Sequence, residues 1–593
     1  MRQPTPPAMG NSRLIRSPFV LFFLLFVIGL PHEVPAANEK TVALVMKALS
    51  NPFFSEMESG AKAFAQQEHI PLEVFGVERE TDVERQISIM ENLISRGYGA
   101  IVIAPTDSKK LVPVCRHALE ADIVVVNVDN PLHKATMKQL GISIPFVGSD
   151  NRVGAAKIGE YIKMKLGGKG RVMVIEGIRG VENAELRKLG FTEAVTRESN
   201  IEIIASESAN WHTDEALMVS NRLLQEHDAV DAIFCANDKM ALGALQALDI
   251  SGRTGKILLA GYDNIEAVRY EMQNGRIHAT LEQHPELMGQ YGVRLAAQAL
   301  LGEQIPPFVA TPVDLVTHDT FGKQIALSIS NLQNPFFTTL HQQAQRTAAL
   351  HGINLTVYDA RNDDAQQLTD LRAILKGEPD AIIVNPTNTE TIGLGIELAN
   401  QKGIPVVTVD RKVAEGTVVC HIESDNFKGG QMAAQMLAKH LTGEAKIIEL
   451  EGIPGTSASQ ERGKGFNEAL RKFPHLQVTA RLVADFDRAK AAELMEGLLR
   501  EQVAFDAIFA HNDNMILGAM DALARVPSMD SKLLVGFDGI QDARDALRQG
   551  RLTATVVQKP EKMGALAVES VVRLSRGEPL QSEILVDLGV IEQ

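Results

Sequence analysis

Asn334-Pro335-Phe336-Phe337 repeats a tetrapeptide already present at Asn51-Pro52-Phe53-Phe54, 283 residues earlier. Further out from it, three more landmarks return. Asn237-Asp238-Lys239-Met240 recurs as Asn512-Asp513-Asn514-Met515, and Gly261-Tyr262-Asp263-Asn264 as Gly536-Phe537-Asp538-Gly539. Gln283-His284-Pro285 recurs as Gln558-Lys559-Pro560, and all three are offset by 275. An offset held over such spans means that a whole domain is duplicated, with length changes confined to its first half. Units shorter than about 50 residues would indicate a solenoid or propeller. A unit of about 270 residues can bury its own core.

The second copy shows the plan of one unit. The apolar run Ile325 to Ile329 precedes the tetrapeptide, and a helix-period stretch follows it to about His351. Leu355 to Tyr358, Ala381 to Val384 and Val406 to Val409 read as strands, separated by helices over 363–376 and 389–401. The alternation restarts with strands at 445–450, 478–483, 507–510 and 533–536, and helices at 457–472 and 489–500. Short Val/Ile-rich runs alternating with helices predict parallel strands joined by right-handed crossovers. Two such series per copy predict an α/β fold with two doubly wound lobes. In sheets of this kind ligands sit beyond the carboxyl ends of the strands. Asn334, Asp410, Asn512 and Asp538 all follow strands, as do Asn51, Asp129, Asn237 and Asp263 in the first copy.

The net charge of −15 and the lack of any basic run argue against a nucleic-acid partner. Arg13 and Arg16 precede an apolar run from Phe19 to Leu30 and the small-residue stretch Val34-Pro35-Ala36-Ala37. That is the order of a secretory signal peptide. The expectation is export with cleavage near Ala36/Ala37, a mature periplasmic chain and no stable membrane insertion afterwards. The expected units are a signal at 1–36, copy 1 at 38–320 and copy 2 at 322–593. Cys115, Cys235 and Cys420 occupy non-matching positions and read as buried free thiols.

The candidate residues of copy 2 are Asn334, Phe336, Phe337, Asp410, Arg411, Arg462, Phe486, Arg488, Asn512, Asp538 and Gln558. Rings, carboxylates, guanidiniums and amides together suit a small polyol or monosaccharide. Sugar C–H faces pack on rings. Hydroxyls both donate and accept, which Asp, Asn and Gln satisfy jointly, and Arg supplies fixed donors. Taken singly, each residue has an ordinary structural role. A strand-end Asn is usually a helix N-cap, a Phe pair is core, and a helical Arg is solvated. Joint occurrence at matching strand ends in both copies shifts the balance.

Copy 2 resembles the ribose-binding branch of the bacterial periplasmic sugar-binding proteins over 322–593. The resemblance rests on Asn334-Pro335-Phe336-Phe337, Val409-Asp410-Arg411, Gly452 to Gly463, Ala484 to Arg488, Asn512-Asp513 and Gly536 to Gly539. It implies a tandem type I periplasmic binding protein fold, each copy having two lobes joined by a three-segment hinge near Ser424, Gln558 and Asp587. It also implies that the eleven residues contact the sugar. Copy 1 is similar through Asn51, Phe53, Phe54, Asp129, Arg187, Asn237, Asp263 and Gln283, but has Asn130, Trp211 and Thr213 where copy 2 has Arg411, Phe486 and Arg488. It looks closer to the allose-binding branch, so different ligands are expected in the two copies.

The function implied is sugar delivery to the membrane permease of an ABC-type importer, with presentation to a chemoreceptor or sensor kinase as the alternative. No Gly-x-Ser-x-Gly elbow, His-Glu-x-x-His or Cys-x-x-Cys motif is present. The expectation is therefore no enzyme, no cofactor and no metal.

Overall fold

The computed structural model describes residues 41–526 and 532–593. The signal-peptide reading falls outside them. Among the described residues no helix is long and apolar enough to cross a membrane.

Each copy contains two six-stranded sheets. In copy 1 the first sheet runs, in spatial order, Phe308–Ala310, Phe146–Gly148, Val124–Val128, Ala100–Ile103, Val42–Ala48, Leu72–Val77. The second runs Asp314–Thr317, Ala279–Glu282, Leu258–Ala260, Ala232–Cys235, Lys169–Glu176, Asn200–Ser208. Copy 2 repeats both orders, from Asn354–Asp359 to Glu583–Val586 and from Leu476–Val483 to Gly589–Glu592. All pairs are parallel except those of the second-sheet edge strands Asp314–Thr317 and Gly589–Glu592. Both faces of each sheet are covered, because successive strand residues point to opposite sides. Val42, Leu44 and Met46 enter one core with Phe53 and Met57, while Ala43 and Val45 enter another with Met90 and Leu93.

The chain passes between the lobes of each copy three times. In copy 2 the crossings follow Cys420–Ser424, Ala554–Val557 and Glu583–Val586, which matches the expected hinge. Strand Cys420–Ser424 is absent from the sequence reading because His421, Glu423 and Ser424 interrupt its apolar run. The helix expected over 389–401 spans only Gly393–Gln401. The length difference between copies lies mainly in copy 1's extra short helix, Lys134–Gln139.

No free linker joins the copies. Strand Asp314–Thr317 leads through a 3-10 turn, His318–Thr320, into strand Gln324–Ile329. Cys115, Cys235 and Cys420 are buried and unbridged.

Candidate sugar-binding clefts

The two clefts are built alike. Each helix that follows a first strand starts at an asparagine, and its Oδ1 accepts the N–H of the first phenylalanine: Asn51 from Phe53 at 3.2 Å, Asn334 from Phe336 at 3.0 Å. Asn237 and Asn512 cap their helices in the same way, through Met240 and Met515. The cap and site roles are therefore compatible. One end of the amide starts the helix, and the residue also lines a cavity between the lobes.

In copy 2 that cavity is narrow, about 20 Å³, and is lined by Asn334, Phe336, Phe337, Asp410, Arg411, Ala458, Arg462, Phe486, Asn512, Asp538 and Gln558. Arg462 donates to Asn426 Oδ1 at 2.8 Å and to the His511 carbonyl at 2.7 Å, and lies 3.6 Å from Asp538. Its guanidinium stacks 3.9 Å from the Phe537 ring centroid. Arg411 donates to the Pro386 carbonyl at 3.0 Å and lies over Phe337 and Phe486. Gln558 donates to Asp538 at 2.8 Å. Arg411 Nε, 3.7 Å from Asp410, and Gln558 Oε1 are buried without a hydrogen-bond partner. Leaving such groups unpaired costs roughly 1–3 kcal/mol each, so a ligand carrying hydroxyls gains by satisfying them.

Burial dominates the electrostatics. It pushes Asp538 from 3.8 up to about 7 against the pull of Arg462, and raises Asp410 against Arg411. It also brings Arg411 down to about 10. In copy 1 burial holds Asp263 well above the ordinary carboxylate range, opposed by Arg187. Strained backbone marks the same positions. Asp129 and Asp410 have φ of 62° and 66°, Asp263 and Asp538 118° and 117°, and Trp211 and Phe486 68° and 60°. Non-glycine residues persist there only where their surroundings enforce it, and such outliers gather at binding sites. The two rings also need a glycine floor. A Cβ on Gly177 would meet Trp211 at 2.2 Å, and one on Gly452 would meet Phe486 at 2.1 Å.

The copy 1 cavity, also about 20 Å³, is lined by Lys47, Asn51, Phe53, Phe54, Glu80, Asp129, Asn183, Arg187, Trp211, Asn237 and Asp263. Lys47 is 2% exposed and pairs with Asp129 at 3.0 Å and Glu80 at 3.8 Å. Asn51 donates to Glu80 at 3.1 Å. Arg187 reproduces Arg462, donating to Asn151 at 2.7 Å and the Ala236 carbonyl at 2.9 Å and stacking on Tyr262.

Several expected residues sit elsewhere. Arg488 points away from its cavity and is held by Asp521 at 2.8 Å and Asp542 at 3.5 Å, half-exposed. Thr213 donates to the Lys239 carbonyl at 2.9 Å in the first turn of its helix. Asn130 is buried beneath the cavity, where its amide meets the Pro105 carbonyl that corresponds to Arg411's partner. Gln283 lies one layer back, bonded to Asp263, Arg187 and Ser149. Lys47, Glu80, Asn183 and Ala458 went unread. Lys47 had a signal, as the lone charge in the apolar strand Val42–Ala48. Glu80 had another. Gln86 and Gln367 make the same bonds to Thr106 and Thr387 at an offset of 281, so copy 1 has two extra residues where Glu80 lies.

Both clefts are closed. Lys412 N donates to Ser457 Oγ at 2.9 Å and Thr389 N to the Gly455 carbonyl at 3.0 Å, from one lobe to the other. In copy 1 the Glu182 N–H meets Ser108 Oγ at 3.3 Å.

A family model described as a periplasmic binding protein domain matches the chain twice, over 42–304 and 325–579. The chain belongs to the periplasmic binding protein family. The ribose import binding protein RbsB of Haemophilus influenzae is 44% identical over 272 residues, 45% of this chain and 91% of that protein. The D-allose-binding periplasmic protein of Escherichia coli is 33% identical over 296 residues, 50% of this chain and 95% of that protein. A solved periplasmic solute-binding protein from Actinobacillus succinogenes with bound D-allose is 33% identical, covering 47% of this chain and 98% of its own, with a TM-score of 0.46. One copy of this tandem periplasmic binding protein thus spans the length of a whole relative.

Proposed function

We propose that this protein binds two monosaccharides outside the cytoplasm and delivers them to the permease of an ABC-type importer. Copy 2 takes a ribose-like pentose, and copy 1 takes a different sugar or polyol, allose-like in its hydroxyl pattern. Neither copy is an enzyme. The observation that carries this reading is the pair of interlobe cavities, each with rings on its walls and a buried guanidinium beside a buried aspartate, Arg462 with Asp538 and Arg187 with Asp263. The names of the ribose- and allose-binding relatives support the sugar class. The difference in polar groups supports two specificities, because a site built for one hydroxyl pattern leaves groups unpaired with another. The eleven cavity residues of each copy are the proposed contacts, together with Gln283 acting through Asp263. The unit boundaries and the periplasmic destination are proposed as read above. N-terminal sequencing of material released by osmotic shock should begin near Asn38.

The test is calorimetric titration of the full chain with D-ribose and D-allose, repeated on Asp538→Ala and Asp263→Ala. Each variant should lose one sugar and keep the other. If both sugars compete for one cavity, the two-ligand reading fails.

A further inference from the structure

The junction between the copies has a small packed centre beside an open cleft of about 790 Å³, lined from copy 1 by Arg152 and Glu193 and from copy 2 by Glu569 and Arg573. Leu350 of copy 2 and Phe321 of the connection pack against the second-lobe core of copy 1, with Val268 and Met272 among that core's buried members. A Cβ on Gly352 would meet the Phe321 ring at 2.4 Å. The connection is tied to copy 2 as well: Thr320 Oγ donates to the His351 carbonyl at 2.8 Å, and copy 2's own Gly322 N–H donates to the Gly352 carbonyl at 2.8 Å.

Two arginines close it from either side. Arg269, in the second lobe of copy 1, donates to the Leu350 and Ala349 carbonyls at 2.9 and 2.7 Å. Those carbonyls end the helix Pro335–Leu350 in the first lobe of copy 2, where a cation also meets the negative end of the helix dipole. Arg576, at the end of the helix Pro560–Ser575, reaches back to the Leu315 carbonyl and Thr317 Oγ on the edge strand of copy 1. It thereby covers a strand edge that would otherwise be open. His351 lies buried between these ties, and burial brings its imidazole down to about 3, so it stays neutral.

The contacts between the copies all join one lobe of copy 1 to one lobe of copy 2. We infer that the two inner lobes form a single rigid block and that only the outer lobes swing. The first lobe of copy 1 and the second lobe of copy 2 then close separately on this common block. Each hinge is crossed by its own three segments, and neither motion displaces the junction. One chain therefore holds two sugars at once as independent receptors, and filling one cleft leaves the affinity of the other unchanged. The ligand-driven part of this inference rests on the function proposed above; the rigidity of the block does not.

Spin-label distances in the full chain separate the two. The native cysteines are buried, so labels go to introduced cysteines at exposed positions, one per lobe: Lys62→Cys, Met218→Cys, Arg372→Cys and Arg548→Cys. The Met218–Arg372 distribution, across the junction, should be narrow and identical with no sugar, with D-ribose and with D-allose. The Lys62–Met218 and Arg372–Arg548 distances should each shorten with one sugar only. A junction distribution as broad as those across the clefts, or one that moves with either sugar, overturns the inference. A narrow junction distance with clefts that respond to neither sugar upholds the rigid block and sinks the sugar assignment instead. Calorimetry on protein saturated with the other sugar should show less than about a twofold change in affinity, since coupling worth the name is about fivefold or more.

Discussion

The two cavities share a frame and take their second cation from different places. In copy 2 it is Arg411, directly after Asp410, lying 5.3 Å from the Phe337 ring. In copy 1 that position is Asn130, and the charge comes from Lys47 on the first strand, 5.6 Å from the matching Phe54 ring. A positive group beside the strand-end aspartate is kept while its backbone origin changes. The pattern of donors around it changes as well: a compact ammonium paired with Glu80 replaces a planar guanidinium. The change in donors thus takes place within an electrostatic plan shared by the two copies, and it is hidden from a comparison made position by position.

The largest expected effect tests the shared frame. Arg462→Ala should abolish ribose binding, and Arg187→Ala should abolish binding in copy 1. Each leaves an aspartate buried without its partner, a loss of about 3–5 kcal/mol in stability or binding. Calorimetry checks this, and retention of either sugar would show that the arginine is not shared machinery.

Next is the exchange of cations. Lys47→Ser should cost copy 1 about 1.5–3 kcal/mol of sugar affinity, the worth of a charged hydrogen bond. It should leave copy 2 untouched. If titration shows copy 1 unchanged, Lys47 is no substitute for Arg411.

Asp538→Asn sharpens the comparison through pH. Burial raises this carboxyl from 3.8 to about 7. The native state therefore keeps a proton that the unfolded chain has released, and stability falls as pH rises between those values. The variant should bind ribose at least about tenfold more weakly, equivalent to about 1.4 kcal/mol. It should also lose part of the pH slope and be the more stable protein near neutrality. Urea unfolding at about pH 5 and about pH 7.5 measures the slope; an unchanged slope would mean that Asp538 is ionised throughout.

The smallest effect separates placement from resemblance. Arg488→Ala removes only half-exposed ion pairs, worth about 0–1 kcal/mol. Ribose affinity should not move. A clear loss in a binding assay would return Arg488 to the site.

Much of the fold was written locally. The duplicated tetrapeptides, the Val/Ile runs and the strand-end Asn and Asp residues fixed two copies, four lobes and the cleft ends of the sheets. Those signals are legible because strand periodicity, helix caps and turns depend on neighbours in the chain. Asn51, Asn237, Asn334 and Asn512 each cap a helix and also line a cavity, so the capping reading does not exclude the site reading. Arg488 and Thr213 follow a cavity-lining aromatic, Phe486 or Trp211, by two residues, yet the helix that begins there turns them away from the cavity.

The order of residues along the chain settled the architecture, the duplication and most of the cavity walls. Only the tertiary structure decided that Lys47 and Glu80 reach the copy 1 cavity, that Arg488 does not reach its own, and that the inner lobes are fastened by Arg269 and Arg576. Those outcomes depend on groups brought together from distant parts of the chain. Burial and charge pairing act through space, and no periodicity records them.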